Sequence, residues 1–229
     1  SLLTLVVIWI LFFIVMPRAV QNLGAIIYET PSQSQFEKNI EKDVSKEGDS
    51  HNANDPKFAE IRKETLKKYN VSDVKDLPFN YRGYISLVAE EISSKIFQKH
   101  YGKVLKQFSL QNRFAELSGI INPYLSVRQL SMATAGSDFA NYENFQWQAE
   151  EYRFEIIQKL NKLNVEEIKI KNDRDQKLDS KIWKEFPVFE SKPVSFGESL
   201  KNQILSILAS VAWLGLVFAG LWFYEPENV

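Results

Sequence analysis

Residues Gln203 to Tyr224 read QILSILASVAWLGLVFAGLWFY. A run of about 20 residues without a charge is long enough to cross a bilayer as a helix, and buried helices of soluble proteins rarely run so far without one. Trp213 stands mid-run, Trp222 and Tyr224 stand at its far end, and Glu225 and Pro226 stop it. Rings that combine an apolar body with a polar tip favour the membrane–water interface, so the stretch reads as a membrane helix. At ~100° per residue, Ala209, Ala212, Gly215 and Ala219 fall within about a third of the circumference. Such a smooth stripe predicts a closely packed neighbouring helix.

A second uncharged run, Leu2 to Met16, reads LLTLVVIWILFFIVM. At about 15 residues it is short for a full span, so it is expected to be the visible part of a membrane helix, with other membrane helices outside this sequence. A secretory signal is the competing reading, but no basic segment precedes the run and no small-x-small cleavage site follows it. Pro17 and Arg18 are expected to mark its exit.

The chain has 229 residues, of which 25% are charged and 45% hydrophobic, with a formal net charge of -1. This balance offers no basic field for nucleic acid. Nearly all the charges lie between Arg18 and Lys201, so the middle reads as one soluble domain, long enough to bury a core. Cysteine is absent, which removes disulfides, thiolate catalysis and cysteine-ligated zinc from consideration. The layout is therefore a membrane helix at 1–17, a soluble domain at 18–194, an interfacial approach and membrane helix at 195–224, and a tail at 225–229.

Within the soluble domain the periodicities are helical. Gln33 to Lys46 is polar with few apolar anchors, and residues 48–54 are turn-like. Asp55 and Pro56 read as N-cap and first residue of a helix ending near Tyr69. Asn80 to about Leu117 is the longest pattern, on the order of 50 Å as a helix, and is expected either to bend at Gly102 or to project. His100 reads as a surface residue of it, and His51 has no second histidine or carboxylate at ligand spacing. Asn122 and Pro123 open a helix to Ala135 that Gly136 closes. Ser137 or Asp138 caps the next, with Tyr142, Phe145, Ala149, Tyr152, Ile156 and Leu163 along one face.

The charge-rich stretch from Val165 to Ser180 is expected to be solvated, with a short strand open to Val165–Lys171. Trp183, Phe186, Phe189 and Phe196 lie among lysines, and Pro187 and Pro193 prevent a continuous helix there. These aromatics suit either the bilayer interface or the domain core. Ser195 is expected to cap the final helix. The fold class is mainly α: a helical domain with long amphipathic helices between two transmembrane helices.

Ser118 to Arg153, SGIINPYLSVRQLSMATAGSDFANYENFQWQAEEYR, carries a recognisable pattern. The Asn-Pro opening, the Ala-Gly-Ser-Asp-Phe break, an aromatic about seven residues on and the Glu-x-Tyr-Arg that follows resemble a bacterial group of ABC-2 type transporter permeases. In that group a large extracytoplasmic domain of unknown function is inserted between two membrane helices. The resemblance covers the layout of almost the whole chain, although its sharp motifs span about a sixth of it. Its marked positions are Asn122, Pro123, Gly136, Asp138, Phe145, Glu151 and Arg153, and the resemblance attaches no catalysis or cofactor to them. Each has a sufficient structural role: Asn122 and Asp138 as helix caps, Gly136 as a turn, Phe145 as a core anchor and Arg153 as a partner of Glu150.

The resemblance implies a membrane subunit of an ATP-driven transporter in the bacterial cytoplasmic membrane, with its soluble domain on the extracytoplasmic side. The implied partners are a separate ABC ATPase subunit, a second permease copy or paralogue, and the lipid bilayer. The chain itself has no G-x-x-x-x-G-K-[ST] loop and no H-E-x-x-H or G-x-S-x-G, so it is not expected to be an enzyme. Arg18, Lys192 and Lys201 on the domain side would by charge counting place the domain in the cytoplasm, but that rule does not govern long translocated domains. A regulator of polysaccharide chain length, or another two-helix extracytoplasmic scaffold or sensor, shares the outline and would need no ATPase.

Overall fold

A computed structural model describes residues 2–52, 54–168 and 178–223. Among them the regular structure is helical. The helices are α1 (Leu2–Ile27), α2 (Gln33–Lys46), α3 (Pro56–Tyr69), α4 (Tyr81–Ser118), α5 (Pro123–Thr134), α6 (Phe139–Glu167), α7 (Phe196–Asn202) and α8 (Ile204–Phe223). Short 3-10 turns occupy Val74–Asp76 and Ser180–Glu185. The expected mainly α architecture, with a helical region between two long apolar helices, is what the structure shows.

The chain divides into two compact units. One gathers residues 1–30, 104–146 and 192–229, and the other 31–103 and 147–191. Segments far apart in the chain thus gather with the apolar helices in the first unit.

In the first unit, α1 and α8 are long and apolar enough to cross a membrane, with 26 and 20 residues. Only 11% of the apolar window of each is buried within the protein, which is unlike the core helix of a soluble domain. α1 does not exit at Pro17. It continues to Ile27 and buries Pro17, Val20 and Gly24 on one side. The final apolar segment is likewise preceded by a separate short helix: Ser195 caps α7, accepting from the Glu198 amide at 3.3 Å, and Gln203 turns the chain into α8. α8 packs against α5 and α7. Of the small-residue stripe only Ala209 is buried by this packing, while Ala212, Gly215 and Ala219 face outward. Tyr224, Glu225, Pro226 and the 225–229 tail lie outside the described residues.

The second unit is built on residues 81–103 of α4 and 147–167 of α6. Tyr101 packs edge-on against Trp147, with ring centroids 6.1 Å apart. At the other end the Asn80 amide donates to the Val165 carbonyl at 2.9 Å, and Gly83 lies so near the backbone that a Cβ there would stand 2.9 Å from the Val165 nitrogen. Val165 to Glu167 are therefore helical rather than strand, and residues 169–177 lie outside the described residues. α4 runs through Gly102 without interruption.

α2 occupies the stretch that reads as merely polar. Ser32 and Gln35 form a reciprocal capping box at its start, satisfying two amides that a helix leaves free, and Phe36 meets Phe97 edge-on. Asp55 caps α3 through the Lys57 and Phe58 amides, as expected. Of the interleaved aromatics, Phe186 lies beneath the Lys159 ammonium and Phe189 against Tyr152, so those two belong to the packed unit. Trp183 and Phe196 remain exposed.

Candidate functional site

The site starts from a missing donor. Proline has no backbone N–H, so Pro17 inside α1 leaves a carbonyl without its helical partner. The preceding turn, Leu11–Val15, is a π-turn, and the Met16 amide donates to the Leu11 carbonyl, five residues back. The same pattern would next have residue 17 donate to the Phe12 carbonyl, which proline cannot do. That carbonyl is served from elsewhere: Asn122 Nδ2 donates to Phe12 O at 2.8 Å. Asn122 Oδ1 accepts from the Tyr124 amide at 3.0 Å, capping α5. Asn122 is fully buried, so one side chain satisfies an orphan acceptor in α1 and an orphan donor in α5.

The turn that carries Asn122 touches both apolar helices. Tyr124 lies on Phe13, with centroids 4.8 Å apart, and Trp213 Nε1 of α8 donates to the Ile120 carbonyl at 2.9 Å. Pro123 takes the first helical position, where its missing donor does no harm. Gly119 allows the close fold of α4 onto α5: a Cβ there would collide with Ser126 Oγ and come within 2.9 Å of the Glu116 carbonyl oxygen.

The next marked residues secure the approach to α8. Gly136 adopts φ 66°, a left-handed conformation that ends α5. Asp138 then caps α6, its Oδ1 accepting from the Asn141 amide at 3.1 Å and from Asn141 Nδ2 at 2.7 Å. Asn141 Oδ1 in turn accepts from the Val194 amide at 3.0 Å, and Asn144 Nδ2 donates to the Lys192 carbonyl at 2.7 Å. Asp138 Oδ2 is buried without a partner. Phe145 is not the core anchor that its spacing suggests, because it is 43% exposed. Glu151 is also exposed.

In the second unit Arg153 does more than pair along its own helix. Its Nε and Nη2 grip Glu150 at 2.8 Å each, and its Nη1 reaches Glu90 of α4 at 2.9 Å. The guanidinium is held well above its ordinary range, chiefly by Glu150 and then by Glu90. A second ionic group, absent from the sequence reading, centres on Asp43 of α2, which takes Lys46 at 2.9 Å, Lys99 at 3.0 Å and His100 Nε2 at 2.9 Å. Lys46, then His100 and Lys99, hold the Asp43 carboxyl well below the usual carboxylate range. His100 is consequently not a surface residue, its side chain being only 12% exposed. The Phe36, Ile40 and Val44 spacing of α2 is the signal that could have found this contact. His51 is exposed, and among the described residues no three His, Asp or Glu side chains converge as metal ligands would.

A cavity of about 410 Å³ opens in the first unit, lined by Val20 and Gln21 of α1, Phe108 and Gln111 of α4, Arg128 and Gln129 of α5 and Tyr142 of α6. Gln129 Oε1 is buried there without a partner. Five of the seven marked positions thus form two assemblies in separate units: Asn122, Pro123, Gly136 and Asp138 with the apolar helices, and Arg153 between α4 and α6. None of these contacts presents a nucleophile with its base, and their chemistry is that of holding helices in register.

No curated protein and no solved structure matches the chain. A family model described as a domain of unknown function, DUF3526, matches residues 33–192. The match begins after α1 and ends before α8, so the family's domain is the segment lying between the two apolar helices in sequence. As it takes in the greater part of the 229 residues, the chain belongs to the DUF3526 family.

Proposed function

We propose that the chain is part of the membrane subunit of an ATP-driven ABC transporter, resident in the bacterial cytoplasmic membrane with the DUF3526 domain on the extracytoplasmic side. ATP hydrolysis resides on a separate subunit, and a second permease copy or paralogue completes the membrane pathway. The observation that carries this reading is the turn at Ile120–Tyr124, hydrogen bonded to Phe12 of α1 and to Trp213 of α8. In a transporter the partner's ATP-dependent closure shifts membrane helices against one another, and a segment bonded to two of them responds to that shift. The pattern from Ser118 to Arg153, which resembles that of ABC-2 permeases, contains this turn. The inserted domain then guides, gates or recruits on the far side of the membrane.

The test is purification of the protein from its native membrane in mild detergent. A nucleotide-binding ATPase recovered in stoichiometric amount supports the proposal. A large homo-oligomer without an ATPase refutes it and favours a polysaccharide chain-length regulator. The side of the membrane is checked separately with Lys181→Cys, since the chain has no cysteine of its own and Lys181 is exposed. Labelling by a membrane-impermeant thiol reagent in intact cells with a permeabilised outer barrier is expected, and protection until lysis would reverse the orientation.

A further inference from the structure

We infer that the turn between α4 and α5, with the outward face of α5's first turns, lies inside the bilayer against lipid acyl chains. The inference rests on the reading of α1 and α8 as membrane helices. It starts from depth. Trp213, which bonds to the Ile120 carbonyl, lies nine residues into α8, or about 13 Å along its axis. Phe12, which bonds to Asn122, precedes the first charge of α1, Arg18, by six residues, or about 9 Å. Both contacts therefore hold the turn well within the uncharged lengths of the two helices, against a hydrocarbon core about 30 Å thick.

The composition of the turn fits that depth. Leu117 to Val127 contains no charged residue, and Ile120, Ile121 and Val127 are 53%, 65% and 56% exposed. Asn122 is buried and satisfied at both ends of its amide. The backbone donors are paired as well. The amides of Gly119, Ile120, Ile121, Asn122 and Leu125 donate to carbonyls at 3.0–3.1 Å, and that of Tyr124 donates to Asn122 Oδ1. Pro123 has no amide to satisfy. Irregular backbone tolerates hydrocarbon only when its polar groups are paired within the protein, and every backbone donor of this turn from Gly119 to Leu125 is so paired. Continuity with the exposed faces of α1 and α8 makes lipid, rather than a soluble partner, the occupant.

The test uses the full chain in phosphatidylcholine–phosphatidylglycerol vesicles, with an environment-sensitive fluorophore on single cysteines at Ile121, Val127, Leu214 and Lys181. Leu214, exposed on α8, reports the membrane reading on which the inference rests, and Lys181 reports water. The expected result is that Ile121→Cys and Val127→Cys are quenched by doxyl-labelled lipid about as strongly as Leu214→Cys, with iodide quenching several-fold weaker than at Lys181→Cys. Lipid quenching at Leu214 with iodide quenching at both turn positions overturns the inference while leaving α8 in the membrane. Protection of the turn from both quenchers also overturns it, since a protein neighbour then covers the surface. Absence of lipid quenching at Leu214 removes the membrane reading and the inference together.

Discussion

Asn122→Ala in two backgrounds tests whether Asn122 replaces the donor that Pro17 lacks. In the native chain the substitution removes the cap of α5, a loss of about 1 kcal/mol. It also leaves the part-buried Phe12 carbonyl without the Asn122 donor, a further loss of about 1–3 kcal/mol. Together these amount to roughly 2–4 kcal/mol, or on the order of 4–16 °C in melting temperature for a domain of this size. Pro17→Ala restores an N–H where the π-turn directs one at Phe12 O. In that background Asn122→Ala should cost about 1 kcal/mol, the cap alone. The double-mutant cycle therefore predicts a coupling of about 1–3 kcal/mol. Asn122→Asp keeps the cap acceptor but turns an oxygen toward the Phe12 carbonyl, so it should fall at least as far as Asn122→Ala. The assay is thermal unfolding in detergent followed by tryptophan fluorescence, supported by Trp9 and Trp213 in the same unit. Equal losses from Asn122→Ala with and without Pro17→Ala would refute the replacement.

Gly119→Ala should destabilise by roughly 2 kcal/mol, because its Cβ meets Ser126 and the Glu116 carbonyl. Ser126→Ala, which removes a buried hydroxyl without a partner, should be neutral or stabilising alone and should partly rescue Gly119→Ala in the same melt. Arg153→Ala should lose on the order of 1 kcal/mol, a figure reduced for its partial exposure to solvent. Arg153→Lys should recover less than half of it, because a single ammonium cannot grip Glu150 with two parallel bonds while reaching Glu90; full recovery in urea unfolding would contradict this. Asp43 has its carboxyl pKa lowered from 3.8 by folding, so its ionised form contributes stability that is complete above that value and is lost as pH falls toward the folded one. The gap in melting temperature between the native chain and Asp43→Asn should be widest at neutral pH and should close below about pH 4. A gap that stays constant with pH would show that the carboxylate charge is not responsible.

The parts of this fold legible in the sequence are those in which local and tertiary preferences agree. Asn122, Asp138 and Asp55 each stand one step before a helix and bond the amides that a helix start leaves free, so the cap could be read without knowing the neighbours. The length and charge-free character of α8 work in the same way. Pro17 misleads because the local rule is right and incomplete: it does remove a donor, but a π-turn and a side chain over a hundred residues away absorb the loss. α2 was obscured by its charges. Its helix depends on Phe36 meeting Phe97 and on Asp43 meeting His100, contacts that neither segment announces alone. Phe145 shows the opposite failure, since a regular spacing along α6 places it on a face that leaves it 43% exposed. The second half of the Arg153 clamp, Glu90, lies 63 residues away and is invisible to spacing along one helix.

The bond from Trp213 to Ile120 spans 93 residues of chain, and that from Asn122 to Phe12 spans 110. During synthesis, α1 therefore waits with an unserved carbonyl until Asn122 has been made, and the turn waits longer, until Trp213 leaves the ribosome. Contacts of such long sequence separation are slow to form, because the loop between them must close first. A nascent chain stopped before α8 holds the turn's apolar side chains and the free Ile120 carbonyl together, a combination that invites capture by chaperones or by another chain. The order of translation thus makes Trp213 the last of the two partners for which this turn waits, and chains truncated ahead of it are the ones that a cell's quality control would meet unfinished.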